Sequence, residues 1–279
     1  MKRLLLLIAL ILPAAAGEVL RDIPYVRGGT GQQKLDIYLP DHAAEGRHPV
    51  VIAIHGGGWK LGNRSMPRFV QPKTRWLNRE GFIVVSIGYR LTPEVRHPAH
   101  IQDVCAAIAW VQKNIARHHG DPDQLYLLGH SAGAHLAALA GTDFDRLQKA
   151  GADPAAIRGV ILLDGAGYDI PGELAGEMSF PALRQMYLDA FTADPKVQRD
   201  ASPIHHADHR CPPFLLLHVT TRADSTLQSQ RLAAALEKHG GFAKVVAVPG
   251  KTHGTISRDL GKRGDPVTRA VAAFLGLDP

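Results

Sequence analysis

LYLLGHSAGAHLA, residues 125–137, is the stretch on which the reading of the fold turns. Its first half is a short apolar strand pattern. Its second half is a run of small residues suited to a closely packed helix. Between them Gly129, His130, Ser131, Ala132 and Gly133 form G-x-S-x-G. In that setting the turn is sharp and the serine hydroxyl projects from the edge of a sheet. Bulky residues at the two glycines would clash with neighbouring backbone. The helix that follows aims its first N–H groups and its positive end at any developing oxyanion. G-x-S-x-G by itself is common in small-residue turns; with a strand before and a helix after, it makes Ser131 a candidate nucleophile.

The pattern on either side continues the alternation. KLDIYLP (34–40) alternates like a strand, and PVVIAIH (49–55) and FIVVSIGY (82–89) are apolar runs of strands buried on both faces. Arg68 to Arg79 fits a helix. Ile101, Val104, Ile108, Val111 and Ile115 recur at helical spacing, and GDPDQ ends that helix. GVILLDG (159–165), FLLLHV (214–219) and FAKVVAVPG (242–250) read as further strands, with helices over 229–240 and 265–277. Residues 171–205 are less regular, carry four prolines, and fit a cap insertion that is partly helical around Ala182 to Phe191. Alternating strands and helices predict an α/β domain over 17–279, with a mostly parallel central sheet and helices on both faces.

The N-terminus differs in kind. MKRLLLLIALILPAAAGEV has two basic residues, an apolar run from Leu4 to Leu12, and then small residues at Ala14 to Ala16. This is the three-part pattern of a signal peptide over residues 1–16, and it predicts an exported protein, periplasmic or secreted. The run is too short to serve as a lasting membrane anchor. Removing Lys2 and Arg3 takes the formal charge from +6 to +4, and the remaining charges are interspersed, so nucleic-acid binding is not indicated. Cys105 and Cys211 lie in separate elements and are expected as two buried thiols.

HGGGW (55–59) follows the PVVIAIH strand. Glycines let backbone N–H groups approach a ligand closely. The phosphate-loop patterns G-x-x-x-x-G-K-[ST] and G-x-G-x-x-G are absent here. The loop resembles the one that supplies one side of the oxyanion hole in α/β-hydrolases, and that resemblance implies the N–H groups of Gly57, Gly58 and Ala132 as the donors, with His55 bracing the loop and Trp59 lining either a pocket or the core. HGGGW, then GYRLTPEVRHPAHIQD (88–103), then DPDQLYLLGHSAGAHLA together resemble the α/β-hydrolase esterases and lipases of the hormone-sensitive-lipase and carboxylesterase type, and the related arylformamidases. The resemblance runs from about Lys34 to the C-terminus. It implies an α/β-hydrolase fold, a small-molecule ester substrate, no cofactor and no metal. It also makes Tyr89, Arg90, Leu91 and Asp103 framework residues.

A serine hydroxyl needs a base, and in this fold the chain order is Ser, then Asp or Glu, then His. His253 falls in the loop after the last strand, where the family's catalytic histidine lies. His218 sits inside a strand and suits a core role, and His130 and His135 suit packing. The acid is expected from the loop after FLLLHV. The family pattern places a glycine after the strand-end histidine and the acid four residues past that histidine; this chain has Val219 and Arg222 there, with Asp224 two further on. Asp224 is the expected acid, and Asp164, at the end of GVILLD, is the alternative. His205, His206 and His209 lack a metal-site spacing and read as a hydrogen-bonded loop. The expected activity is carboxylic ester hydrolysis by Ser131, His253 and Asp224. Amide hydrolysis on the same triad is the alternative, and a non-catalytic binder on this fold is the third reading.

Overall fold

The structure is a computed structural model that describes residues 17–41, 43, 46–176 and 181–277. The signal peptide expected over residues 1–16 lies outside the described residues. Eight strands form one sheet: β1 (Val19–Pro24), β2 (Lys34–Tyr38), β3 (His48–Ile54), β4 (Ile83–Ile87), β5 (Gly120–His130), β6 (Ile157–Leu163), β7 (Phe214–Val219) and β8 (Ala243–Val248). Their order is β1-β2-β4-β3-β5-β6-β7-β8. β1 pairs antiparallel with β2, and β2 with β4; every later pairing is parallel.

Continuous apolar strands follow from burial on both faces. Val50, Ile52 and Ile54 of β3 enter one core, and Val51 and Ala53 enter the other. The helices are α1 (Pro67–Leu77), α2 (Ala99–Asn114), α3 (Ala132–Ala140), α4 (Phe144–Lys149), α5 (Ile170–Ala175), α6 (Pro181–Phe191), α7 (Pro195–Asp200), α8 (Ala223–Lys238), α9 (Thr255–Arg258) and α10 (Pro266–Phe274). Ile101 of α2, Leu136 of α3, Leu147 of α4 and Leu232 of α8 pack on the first face. Phe69 of α1, Ile256 of α9 and Val267 of α10 pack on the second. Helices α5 to α7 occupy the insertion expected over 171–205.

Three differences from the sequence pattern have physical causes. β1 carries no alternating signal because it is an edge strand with no fully buried residue. β5 begins at Gly120 rather than at Leu125. Gly120 pairs with His48, and the next pairing is Leu125 with Val50, so Asp121 to Gln124 bulge out of the ladder. The Asp121 carboxylate accepts the Asp123 N–H at 3.0 Å, which is turn chemistry set inside a strand. α8 begins at Ala223, so the acid expected in a loop lies in a helical first turn.

Candidate active site

Ser131 joins β5 to α3 with φ 57° and ψ −124°. That backbone costs a non-glycine residue about 1–3 kcal/mol and persists only where the surroundings enforce it. They do so here. The Ser131 N–H donates to the Leu163 carbonyl at 3.0 Å. A Cβ on Gly133 would lie 2.1 Å from the Ile54 carbonyl oxygen, so the turn closes only because residue 133 has none.

The HGGGW loop runs from the end of β3 beside this turn. Gly57 has φ 122°, and its carbonyl accepts the N–H groups of Lys60 and Leu61 at 3.1 and 2.9 Å. His55 is buried, stacks on Tyr89 at 4.5 Å, and its carbonyl accepts the Tyr89 hydroxyl at 3.0 Å. Asp103 receives the Arg90 N–H at 2.9 Å and its guanidinium at 2.8 Å, which ties the chain after β4 to α2. The bracing and framework readings of these residues match that geometry.

Trp59 is both core and pocket. It is only 2% exposed, yet it lines the cavity that holds Ser131. Its indole N–H donates to His135 Nδ1 at 3.2 Å, and His135 Nε2 then donates to the Ala201 carbonyl at 2.8 Å. Burial pushes the His135 pKa down to about 3, so the ring is neutral and locked in one tautomer. His135 therefore ties the HGGGW loop to the end of α7.

His253 stands between β8 and α9, with its side chain 41% exposed. His130 donates from Nε2 to the His253 carbonyl at 2.7 Å, and the two rings lie 4.6 Å apart. Burial first, and then the nearby His253, push the His130 pKa down to about 3, so His130 acts as a neutral strut.

The carboxylate against His253 is Asp164, and this corrects the expectation of Asp224. His253 Nδ1 donates to Asp164 Oδ2 at 2.6 Å. Asp164 is fully buried just past β6, with φ 48°. The Val219 N–H reaches its Oδ1 at 3.0 Å, and Arg222 Nη1 reaches its Oδ2 at 3.0 Å. Burial by itself would raise the pKa of this carboxyl. The bond from His253, the charge of Arg222 and the Val219 N–H overcome burial and hold it well below the usual carboxylate range.

Asp224 pairs instead with the guanidinium of Arg222. The cause is the early start of α8. Residue 224 lies in the first turn of α8, where its carboxylate meets the Arg222 guanidinium. Arg222 occupies the approach to His253 and was not singled out from the sequence as a functional residue. Its place at the offset where the family pattern puts the acid is the signal that marked it.

Ser131, Ala132, Gly58, His253, Arg222 and Asp224 line one cavity of about 820 Å³. Glu173 of α5 and Met186 of α6 also line it, and Met186 packs on Gly58. Burial, then the charge of Asp224, raise the Glu173 pKa to about 7. The remaining candidates lie elsewhere. His218 is buried in β7, with its Nδ1 against Thr226 Oγ1 at 2.9 Å. His206 Nε2 donates to the Asp200 carbonyl at 2.8 Å. Among the described residues, no three His, Cys, Asp or Glu side chains are grouped to hold a metal ion. Cys105 and Cys211 are buried free thiols.

A mostly parallel eight-stranded sheet, with a strained serine at the β5–α3 turn, defines the α/β-hydrolase class. Residues 35–236 match the family model BD-FAE, and the chain belongs to that family among the α/β-hydrolase esterases and lipases. It is 36% identical to the esterase LipQ of Mycobacterium tuberculosis over 269 residues, covering 92% of this chain and 62% of LipQ. It is 31% identical to the esterase LipC of the same organism, covering 89% of this chain and 63% of LipC. The chain thus spans less than two thirds of the length of either relative. Among solved structures, esterase B of Lactobacillus rhamnosis shares the fold with a TM-score of 0.76 at 23% identity, covering 94% of this chain and 86% of that one.

Proposed function

We propose that this protein hydrolyses carboxylic esters through an acyl-enzyme on Ser131, with His253 as base and Asp164 as the acid that orients it. The observation that carries this reading is the 2.6 Å contact from His253 Nδ1 to Asp164, in the cavity that Ser131 enters on a strained turn. The kinship with LipQ and LipC supports the ester substrate class.

With Nδ1–H directed at Asp164, Nε2 is left free to accept the Ser131 proton. The serine oxygen attacks the ester carbonyl. The resulting oxyanion accepts hydrogen bonds from the N–H groups of Gly57, Gly58 and Ala132, helped by the positive end of α3. His253 then protonates the departing alcohol. Water, deprotonated by the same imidazole, releases the acid and restores Ser131. The buried Asp164 carboxylate stabilises the imidazolium formed at each half-reaction.

The test is turnover of short-chain p-nitrophenyl esters by the native protein and by Ser131→Ala. The alanine variant is expected to lose at least about 10³-fold in kcat; wild-type turnover would overturn the reading. Faster cleavage of a matched anilide than of the ester would replace it with amide hydrolysis. Export belongs to the same proposal and rests on residues 1–16. N-terminal sequencing of the protein recovered outside the cytoplasm, starting near Gly17, is the expected outcome.

A further inference from the structure

Arg222 is an awkward neighbour for a catalytic imidazole. Its Nη1 lies 2.9 Å from His253 Nδ1. With the Nδ1 proton directed at Asp164, this contact is no hydrogen bond, because two donors converge on one carboxylate oxygen. A positive charge so close opposes protonation of the ring, yet the base must take up a proton in each half-reaction.

Two observations show how the protein accommodates it. First, Arg222 grips Asp164 at two points. Nη1 donates to both the backbone carbonyl and Oδ2 of Asp164, each at 3.0 Å. These bonds hold the side chain of a residue whose backbone is itself unusual at φ 48°. Second, Arg222 Nη2 is paired with Asp224, whose carboxylate sits in the first turn of α8. Asp164 and Asp224 together carry two negative charges against one positive. The cluster that faces His253 therefore has a net charge of −1, the same as a single orienting carboxylate.

We propose that Arg222 and Asp224 form a matched positioning pair, in which Arg222 clamps Asp164 for His253 and Asp224 cancels the charge that the clamp introduces. The inference rests on the Ser131–His253–Asp164 reading. Neither residue of the pair exchanges a proton with substrate.

Other ionisable groups near His253 are accounted for. His130, on β5, is neutral for the reasons given above. Lys251, two residues before His253, is neutralised by Asp259 and Asp265. Lys73, on α1, donates to Ser257 on α9, to its carbonyl at 3.1 Å and its hydroxyl at 2.9 Å, and burial lowers its pKa to about 7. Glu173 faces Arg222 and Asp224 from α5 and also titrates near 7. Lys73 is present unchanged in every variant below; Glu173 responds to the charges of both Asp224 and Arg222, so each variant is also measured in a Glu173→Gln background, which removes its titration from the comparison.

The experiment is a pH profile of kcat/KM, with melting temperatures, for the native protein, Asp224→Asn, Arg222→Met and the double variant. Asp224→Asn leaves a net charge of zero. Its activity is expected to fall about tenfold, with the acid limb of the profile moving about one pH unit lower. Arg222→Met leaves −2, and its limb is expected to move about one unit higher, with kcat reduced because Asp164 is no longer clamped. The double variant restores −1, and its limb is expected back at the native position.

Limbs that coincide in both single variants, or a double variant whose losses are simply the product of the two, would overturn the proposal. Should Arg222→Met fail to fold, Arg222→Lys keeps the charge but not the fork. A native limb with a lowered kcat supports the pair, and a displaced limb refutes it. A failure of the pair is distinguishable from failure of the triad, since Ser131→Ala and Asp164→Asn both still abolish turnover in the first case, and at least one of them does not in the second.

Discussion

Asp164→Asn tests the most consequential placement in the site. The substitution keeps the size of the side chain but removes a fully buried negative charge that takes hydrogen bonds from His253, Val219 and Arg222. Two effects add. The imidazolium formed during the reaction loses its counter-charge. For charge centres roughly 4 Å apart, at an effective dielectric constant of about 20, that is worth about 4 kcal/mol, or about three decades in rate. The amide also offers an N–H in place of a lone pair, which favours the wrong tautomer of His253. Loss of an orienting acid in such triads costs about 10⁴ in kcat, in line with that estimate. The assay is initial-rate hydrolysis of p-nitrophenyl acetate and butyrate at pH 7.5, with circular dichroism to verify folding. Asp224→Asn, run beside it, is expected to lose only about tenfold through Arg222. A folded Asp164→Asn that keeps activity, or an Asp224→Asn that loses more, refutes the reasoning.

Further outcomes follow from buried groups. His55, His100, His130 and His135 all have pKa values lowered by burial, to about 4, 4, 3 and 3. Their contribution to stability is fully present above the unfolded value near 6.5 and is lost as pH falls toward the folded values. The unfolding free energy from urea titrations is therefore expected to fall steadily below pH 6.5, by roughly 1.4 kcal/mol per histidine at pH 5.5; a constant value from pH 7.5 to 5 contradicts their neutral burial. Glu173 titrates near 7 in the cavity wall. The preference for neutral over anionic esters is expected to grow as pH rises through 7 and to flatten in Glu173→Gln, as measured by kcat/KM ratios. Gly133→Val places a side chain where a Cβ alone would lie 2.1 Å from a backbone oxygen. A loss of more than about 3 kcal/mol in denaturant stability, together with turnover, is expected.

Much of this architecture was legible in the chain. The apolar runs of β3, β4, β6 and β7 are nearly continuous because each strand is covered on both sides, and that burial writes itself into composition. The glycines around Ser131 were equally readable, because a turn that admits no Cβ leaves no freedom of residue type. The edge strand β1 was not legible, since a strand with no buried residue has no reason to alternate.

The Ser131 turn, the HGGGW loop and the position of His253 are local or ordered features, and their places follow from motif and chain order alone. Which carboxylate meets His253 is not such a feature. Asp164 and His253 are 89 residues apart, and Asp224 lies closer along the chain to the histidine. Only the parallel stacking of β6, β7 and β8 brings the end of β6 under that ring. Only the start of α8 at Ala223 turns Asp224 toward Arg222. A one-turn difference in where a helix begins moves a carboxylate by several ångströms. A hydrogen bond tolerates a few tenths, so the choice between the two acids belonged to the tertiary structure.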